Sequence, residues 1–440
     1  MRDLTASNTI RTDQTQPRRL LDDLAYAPPV LRLTLGDWLV TFVLVLVLLL
    51  ALPRLWTRIE PFSPAPDYRI PYALSEDYWH FERYARATAS AGKAFVLGDS
   101  VLWGRYVQPD QTLVHYLNER TGADDFANLA VNGMHPLALA GLIEHHGRPI
   151  TNSQVLLHCN MLWFSSPRHD LQAAGDVTFN HPDLVPQFRP WIPAYRASLD
   201  DRLGVVAGRH LPSSKWAEHL RLQYFDGLSI PAWSLEHPYE NPVEQVLAGA
   251  RASALQPSSA ADAAAVRPAA EPLDAEWVDL DASLQWRSLL RSVEILRHRG
   301  NEVFVLIGPF NETMLASHAA EELQALQRAM AERLRSKGVA CWIGPAQRGG
   351  HFADASHLLP VGYEALARQL LEQERFQRFV QGNRHLTNSR PSAMMPMPTA
   401  DGAVGTSVAG APAEPGLTFI AAGAAGDSSP ARRPGRSRLR

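Results

Sequence analysis

Three regimes of hydrophobic patterning divide the chain. From Leu33 to Leu52 almost every position is apolar, from Lys93 short apolar runs alternate with helix-spaced segments, and beyond about Gln381 no period survives. The first regime, "LTLGDWLVTFVLVLVLLLALP", has the length that crosses the hydrocarbon of a bilayer, with Asp37 as an acid near its start. In the second, "KAFVLG", "DFANLAV", "SQVLLHCN", "NEVFVLIGP" and "VACWIG" read as strands. Between them "QTLVHYLNERTG", "HPLALAGLIEHHG", "LQWRSLLRSVEILRHRG", "AEELQALQRAMAERLRSKG" and "GYEALARQLLEQE" read as helices, most of them closed by glycine. Strands alternating with helices predict a doubly wound α/β domain whose parallel sheet is covered on both faces.

Breaks in the rhythm set the boundaries. Residues 1–32 precede the apolar run, 33–53 form the expected membrane anchor, and 54–92, with the proline-punctuated "PFSPAPDYRIPY", read as a spacer. The α/β domain spans 93–380. It is interrupted over 161–281, first by a Trp-, His- and Pro-rich stretch suggesting ordered loops and short helices, then by an Ala/Pro/Ser-rich excursion. Residues 381–440 share that second composition and are expected to be disordered. Pro53-Arg54-Leu55-Trp56 lacks the small residues of a signal-peptidase site, so the anchor is read as uncleaved. Arg2, Arg11, Arg18, Arg19 and Arg32 precede it against Arg54, Arg58 and Arg69 after it, which places the N-terminus in the cytoplasm and the domain outside.

Composition narrows the function classes. A formal charge of −3 gives no basic excess for a phosphate backbone, so nucleic acid is not an expected partner. Cys159 and Cys341 form no CxxC pair, and the histidines at 145, 146, 158, 169, 181 and 237 show no HExxH-like spacing, so neither a disulfide scaffold nor a metal is expected. No cofactor is expected.

The chemistry gathers where strands should end, at the carboxyl edge of an open α/β sheet. Ser100 follows the first strand in "GDSVLWG", Asn132-Gly133 the second, Asn160 ends the third, and Asp354 and His357 follow the fifth in "DASHLLP". Acyl transfer needs a serine beside an imidazole and a carboxylate that fixes the imidazole's tautomer. One helical turn would let Asp354 reach His357, while the Ser100 and Gly133 N–H groups and the Asn160 amide offer oxyanion donors. Ser100 also suits the cap of a helix starting near Val101, and Asp99 reads as a turn residue. Trp103 and Trp163 flank the site and are candidate walls of a substrate pocket.

"GDSVLWG", "NLAVNGMHP", "HCN" and "DASHLLPVGYEALA", in this order, resemble the four sequence blocks of the SGNH, or GDSL-type, hydrolases. The resemblance covers about Lys93–Glu374 less the insertion. It implies a three-layer α/β/α, flavodoxin-like fold, with Ser100 as nucleophile, His357 as base, Asp354 as its orienting acid and Ser100, Gly133 and Asn160 as the oxyanion hole. One block departs: the family's usual Gly-x-Asn-Asp is here His158-Cys159-Asn160-Met161. An anchor joined to such a domain is similar to proteins of cell-surface polymer O-acylation. The expectation is therefore a membrane-anchored, extracytoplasmic serine esterase or O-acyltransferase acting on acyl esters, acetyl foremost, of a glycan, with a membrane-bound O-acyltransferase as a possible partner. The alternatives are a lipase or lysophospholipase, and a non-catalytic assembly subunit. The 161–281 insertion, with Trp163 and Trp191, is the expected builder of an acceptor groove and tilts the reading toward transfer.

Overall fold

A computed structural model describes residues 34–173, 179–253 and 275–389. The segments 1–32 and 390–440 and most of the Ala/Pro/Ser-rich excursion lie outside the described residues.

Helix α1, Leu35–Ile59, opens with a capping box in which Thr34 Oγ1 accepts from the Asp37 N–H and the Asp37 carboxylate accepts from the Thr34 N–H. The lone acid of the apolar run is thus its N-terminal cap. By length and composition α1 can cross a bilayer, and among the described residues its apolar stretch is left exposed. Pro53 does not end it: the helix runs on to Ile59, and in the disturbed turn the Arg54 side chain donates to the Leu50 carbonyl at 2.8 Å.

The α/β unit begins earlier than its first strand. Helix α2, Tyr78–Ala91, lies in the segment expected as a spacer, and Ile70, Leu74, Phe81 and Tyr84 belong to the main core. That segment is part of the domain because its apolar residues recur at helical spacing behind the prolines. The sheet then forms from β1 Ala94–Leu97, β2 Phe126–Asn128, β3 Gln154–Cys159, β4 Glu302–Ile307 and β5 Ala340–Ile343. All pairings are parallel, in the order β2-β1-β3-β4-β5. The crossovers carry α3 Ser100–Trp103, α4 Leu113–Thr121, α5 Pro136–His146, α10 Leu284–His298 and α11 Ser317–Ser336 (α6 to α9 lie in the insertion), and α12 Pro360–Leu371 and α13 Glu374–Ser389 follow β5. Helix α13 therefore extends order past residue 380.

Alternation along each strand divides the core in two. Phe95, Leu97, Val155, Leu157, Val303 and Val305 face one cluster with residues of α2, α5, α10 and α11, whereas Val96, Leu156, Phe304 and Leu306 face another with residues of α4, α12 and α13. Both faces are buried, which is why these strands read as unbroken apolar runs. Because β1 connects outward to β2 on one side while β3 starts the other half, a crevice opens above the carboxyl ends of β1 and β3.

The insertion contains more regular structure than its composition suggests: α6 Leu199–His210, α7 Pro212–Tyr224, α8 Ile230–Glu236 and α9 Pro242–Ser253. Ser198 caps α6 and proline occupies the first turn of α7 and α8. Helix α7 meets the end of α1, where the Trp56 ring lies 5.9 Å from Trp216 and 6.4 Å from Tyr224. Beneath these rings Glu60 pairs with Arg83 at 3.1 Å and with His219 Nε2 at 2.9 Å, and His219 Nδ1 bonds Asp77 at 2.6 Å. A buried charge cluster thus fastens α1, α2 and α7 together.

Candidate active site

The turn that carries Ser100 is built by two of its neighbours. Gly98 has no room for a side chain, since a Cβ there would lie 2.9 Å from the His158 Cβ. Asp99, not Ser100, caps the short helix α3, its carboxylate accepting from the Val101 N–H at 3.0 Å. The Ser100 hydroxyl is therefore free for another partner, and His357 Nε2 stands 2.8 Å from it.

On the other side of the imidazole, Asp354 holds Nδ1 at 2.7 Å through Oδ2 and 2.9 Å through Oδ1. Asp354 and His357 do not share a helical turn. Residues 352–358 close instead through a bridge between Phe352 and Leu358, with the Ala353 N–H on the His357 carbonyl at 2.8 Å. Within this loop Asp354 Oδ1 accepts from the Ser356 and His357 N–H groups at 2.9 and 2.8 Å, the side-chain-to-backbone bonding that aspartate brings to tight turns. Burial pushes the Asp354 carboxyl up, but His357 and these amides outweigh it and hold it at about 2. Asn311 braces the loop from β4, bonding the Ala355 and Asp354 carbonyls. The Tyr363 hydroxyl on α12 donates to the Val101 carbonyl and so ties the histidine side of the site to the serine side. The Tyr106 ring stands edge-on to His357 at 5.3 Å.

Around Asp99 the end of β3 is gathered in. Its carboxylate receives the Asn160 amide at 2.6 Å, His158 Nδ1 at 3.2 Å and the Trp163 indole N–H at 3.0 Å. Burial acts to raise this carboxyl, and the bonds and charge of His158 with the Asn160 amide bring it below the ordinary range. His158 Nε2 continues to the Gly308 carbonyl at 3.2 Å. Asn160 spends one amide hydrogen on Asp99 and fixes its carbonyl on the Leu162 N–H at 2.9 Å, which leaves its second N–H for a ligand.

The turn after β2 adjoins this group. The Val131 N–H bonds the Gly98 carbonyl at 3.2 Å, setting Asn132-Gly133 beside the Ser100 turn. Gly133 has φ +74°, a left-handed conformation that suits glycine. Insertion residues cover the turn: His181 Nε2 bonds the Asn132 carbonyl at 2.9 Å, and a Cβ on Gly133 would sit 3.1 Å from the Asn180 amide nitrogen.

The structure therefore brings Ser100, His357 and Asp354 into one hydrogen-bonded line, with Asn160 and Trp163 attached through Asp99 and Gly133 alongside. Trp103 is not a pocket wall. It is wholly buried, with its indole N–H on the Ile70 carbonyl at 2.7 Å and the Arg69 guanidinium 4.1 Å over its ring. Trp191 is 70% exposed, beside Arg202. Sequence reasoning missed the roles of Asp99, His158 and Tyr106. A polar His158 within an otherwise apolar run was the available signal.

Cys159 and Cys341 are buried thiols on β3 and β5, with β4 between them. Asp77, His80 and His219 bring potential metal-ligand atoms within 4.8 Å of one another. There, however, the charges of Glu60, Asp77, Arg83 and His219 already balance, and both nitrogens of His219 are held by carboxylates. No protein-family model matches this chain, and no curated protein matches it.

Proposed function

We propose that the chain is a serine hydrolase or acyltransferase acting on ester bonds, with an SGNH-type α/β/α domain, held to a membrane by α1. The observation that carries this reading is the line from Asp354 through His357 to Ser100, with contacts of 2.7 and 2.8 Å. A serine and a histidine from opposite ends of the domain meet at hydrogen-bond distance, with a carboxylate on the far nitrogen, which is the arrangement that activates a hydroxyl for attack.

In the proposed reaction Ser100 Oγ attacks the ester carbonyl as His357 Nε2 takes its proton. Asp354 holds Nδ1–H and stabilises the imidazolium. The tetrahedral oxyanion is met by the Ser100 and Gly133 N–H groups and the spare amide hydrogen of Asn160. His357 returns the proton to the departing alkoxide, leaving an acyl-Ser100. A second hydroxyl, from water or a sugar, then gives its proton to His357 and takes the acyl group, and His357 returns that proton to the departing Ser100 Oγ.

Residues 179–181 of the insertion lie on the Gly133 turn, so an acceptor approaching the acyl-enzyme meets the insertion. This favours transfer to a glycan hydroxyl over simple hydrolysis, because a held acceptor competes with water by proximity. In this reading the domain lies outside the cytoplasm, supported by the arginines at 2, 11, 18, 19 and 32 ahead of α1, and would meet acetylated surface polymers and a membrane-bound O-acyltransferase partner there.

The test is labelling of the full chain by a fluorophosphonate probe. Wild type should label and Ser100→Ala should not, at equal melting temperature. Labelling that persists in Ser100→Ala refutes the assignment. Product analysis from an activated acetyl donor, with and without oligosaccharide, then separates transfer from hydrolysis: acetate alone, whatever acceptor is offered, excludes transfer.

A further inference from the structure

A cavity of about 490 Å³ opens where α1 joins the domain, and none of the residues proposed for catalysis lines it. One wall is α1 itself, through Leu50, Pro53, Arg54 and Thr57. Arg86 and Glu82 reach it from α2 and Arg148 from the turn after α5, while Arg209 and Lys215 come from the joint between α6 and α7. Five Lys or Arg side chains thus line it against one carboxylate, in a chain whose overall charge is −3. The concentration of positive charge is local.

The single acid is already engaged, since Glu82 pairs with Arg86 at 2.6 Å. Arg209 is oriented by the Asp183 and Val185 carbonyls, and the Asp183 and Glu144 carboxylates act on its charge from nearby without a direct ion pair among the described residues. Arg148 and Lys215 make no ion pair among the described residues. Their neighbour His145, which also lines the cavity, registers the resulting field: burial first, then Arg209, Lys215, His210 and Arg148, hold its ring down at about 4. An anion entering the cavity would relieve this repulsion.

Position selects the kind of anion. Arg54 lies 19 residues after Leu35 in one helix, a rise of about 28 Å at 1.5 Å per residue, which is about one hydrocarbon thickness. Arg54 therefore falls at headgroup level, and Leu50 lies one turn inside the apolar layer. Above Leu50 the cavity is cationic, and below it α1 presents an exposed apolar face. A ligand matching both halves carries an anionic phosphate and hydrocarbon chains.

We propose that this cavity binds the phosphate of an anionic phospholipid, with the acyl chains lying along α1 below Leu50. The shared chemistry with free phosphate is the anion, and the apolar wall continuing from the cavity assigns the lipid. Arg148 and Lys215 are the cations with charge to spare, while Arg54 marks the headgroup level.

The test uses the full chain in detergent, titrated separately with phosphatidylglycerol, phosphatidylcholine and inorganic phosphate, with binding read by native mass spectrometry and melting temperature. Wild type should retain phosphatidylglycerol in preference to phosphatidylcholine, and inorganic phosphate should neither displace it nor raise the melting temperature comparably. Arg148→Glu with Lys215→Glu should weaken phosphatidylglycerol binding about thirtyfold or more. Arg148→Gln with Lys215→Gln should weaken it in the same direction and serves should the first pair melt early. Arg335→Glu with Lys337→Glu, an equal charge change at the C-terminal end of α11 and outside the cavity lining, should leave binding intact. Equal retention of the two lipids, unchanged binding in both cavity variants, or protection by inorganic phosphate alone overturns the proposal. None of these readouts depends on Ser100.

Discussion

Two histidines in this protein sit against carboxylates and differ in what faces their second nitrogen. His357 has Asp354 on one side and the Ser100 hydroxyl on the other. His219 has Asp77 on one side and Glu60 on the other, at 2.6 and 2.9 Å. A hydroxyl can surrender a proton to the ring, whereas a second carboxylate can only accept from it. Burial disfavours charge on His219, yet the two acids override it and raise its pKa to about 9. Glu60 in turn is held at about 2, its own burial being outweighed by His219 and Arg83. One histidine is arranged to exchange a proton and the other to keep one. A histidine beside an acid is therefore no signature of catalysis until its other nitrogen is known.

The sharpest way to break this contrast is to remove each ring. His357→Ala should lower ester turnover by about 10⁴-fold with little change in melting temperature. His219→Ala leaves two buried carboxylates facing a gap and should cost about 3–5 kcal/mol of stability. Probe labelling of the surviving folded fraction should persist. If His219→Ala instead abolished labelling at full stability, the division of labour would be wrong. Asp354→Asn should be nearly as severe as His357→Ala, because the amide favours the wrong ring tautomer, and kcat should carry the loss. Asn160→Ala is expected to reduce kcat by about 10²–10³-fold while KM stays close to wild type. A KM effect alone would make Asn160 only a partner of Asp99.

The smallest effect is in pH. The raised pKa of His219 contributes stability that is complete below about pH 6.5 and is lost as pH rises through about 9. The lowered pKa of Glu60 contributes stability present above about pH 4.5 and lost as pH falls toward 2. Stability should therefore fall between pH 6.5 and 9 in wild type, by up to about 3 kcal/mol at the full shift, read as a declining melting temperature. The decline should flatten in His219→Gln. An equal slope in both proteins would assign it to other groups.

The regular part of the fold was legible because parallel strands buried on both faces read as apolar runs, and glycines such as Gly122 close the helices between them. Ser100, Asp354 and His357 were legible for a related reason: strand ends collect reactive groups. What failed depends on contacts distant in sequence. Asp99 is the turn residue it looks like, capping α3, but nothing local shows that it also gathers His158, Asn160 and Trp163 from the end of β3, and Trp103 looks like a pocket wall until Arg69 and Ile70 cover it. Glu60 and His219 are separated by 159 positions, and no local pattern announces their pairing. The prolines between Pro61 and Pro71 suggested a tether because proline marks irregular backbone, but irregular backbone can still be packed.

That last difference changes what the anchor does. A loose leader of nearly 40 residues would let the domain sweep a volume around its attachment point and meet targets at many heights and angles. Here α1 runs past Pro53 and is clamped by Trp56 and Glu60 onto α2 and α7. With α1 seated in a bilayer, the crevice above β1 and β3 is held at one elevation and one orientation. On the proposed function, such a protein would work as a fixed station rather than a tethered rover, and a substrate for Ser100 would have to be delivered to that height.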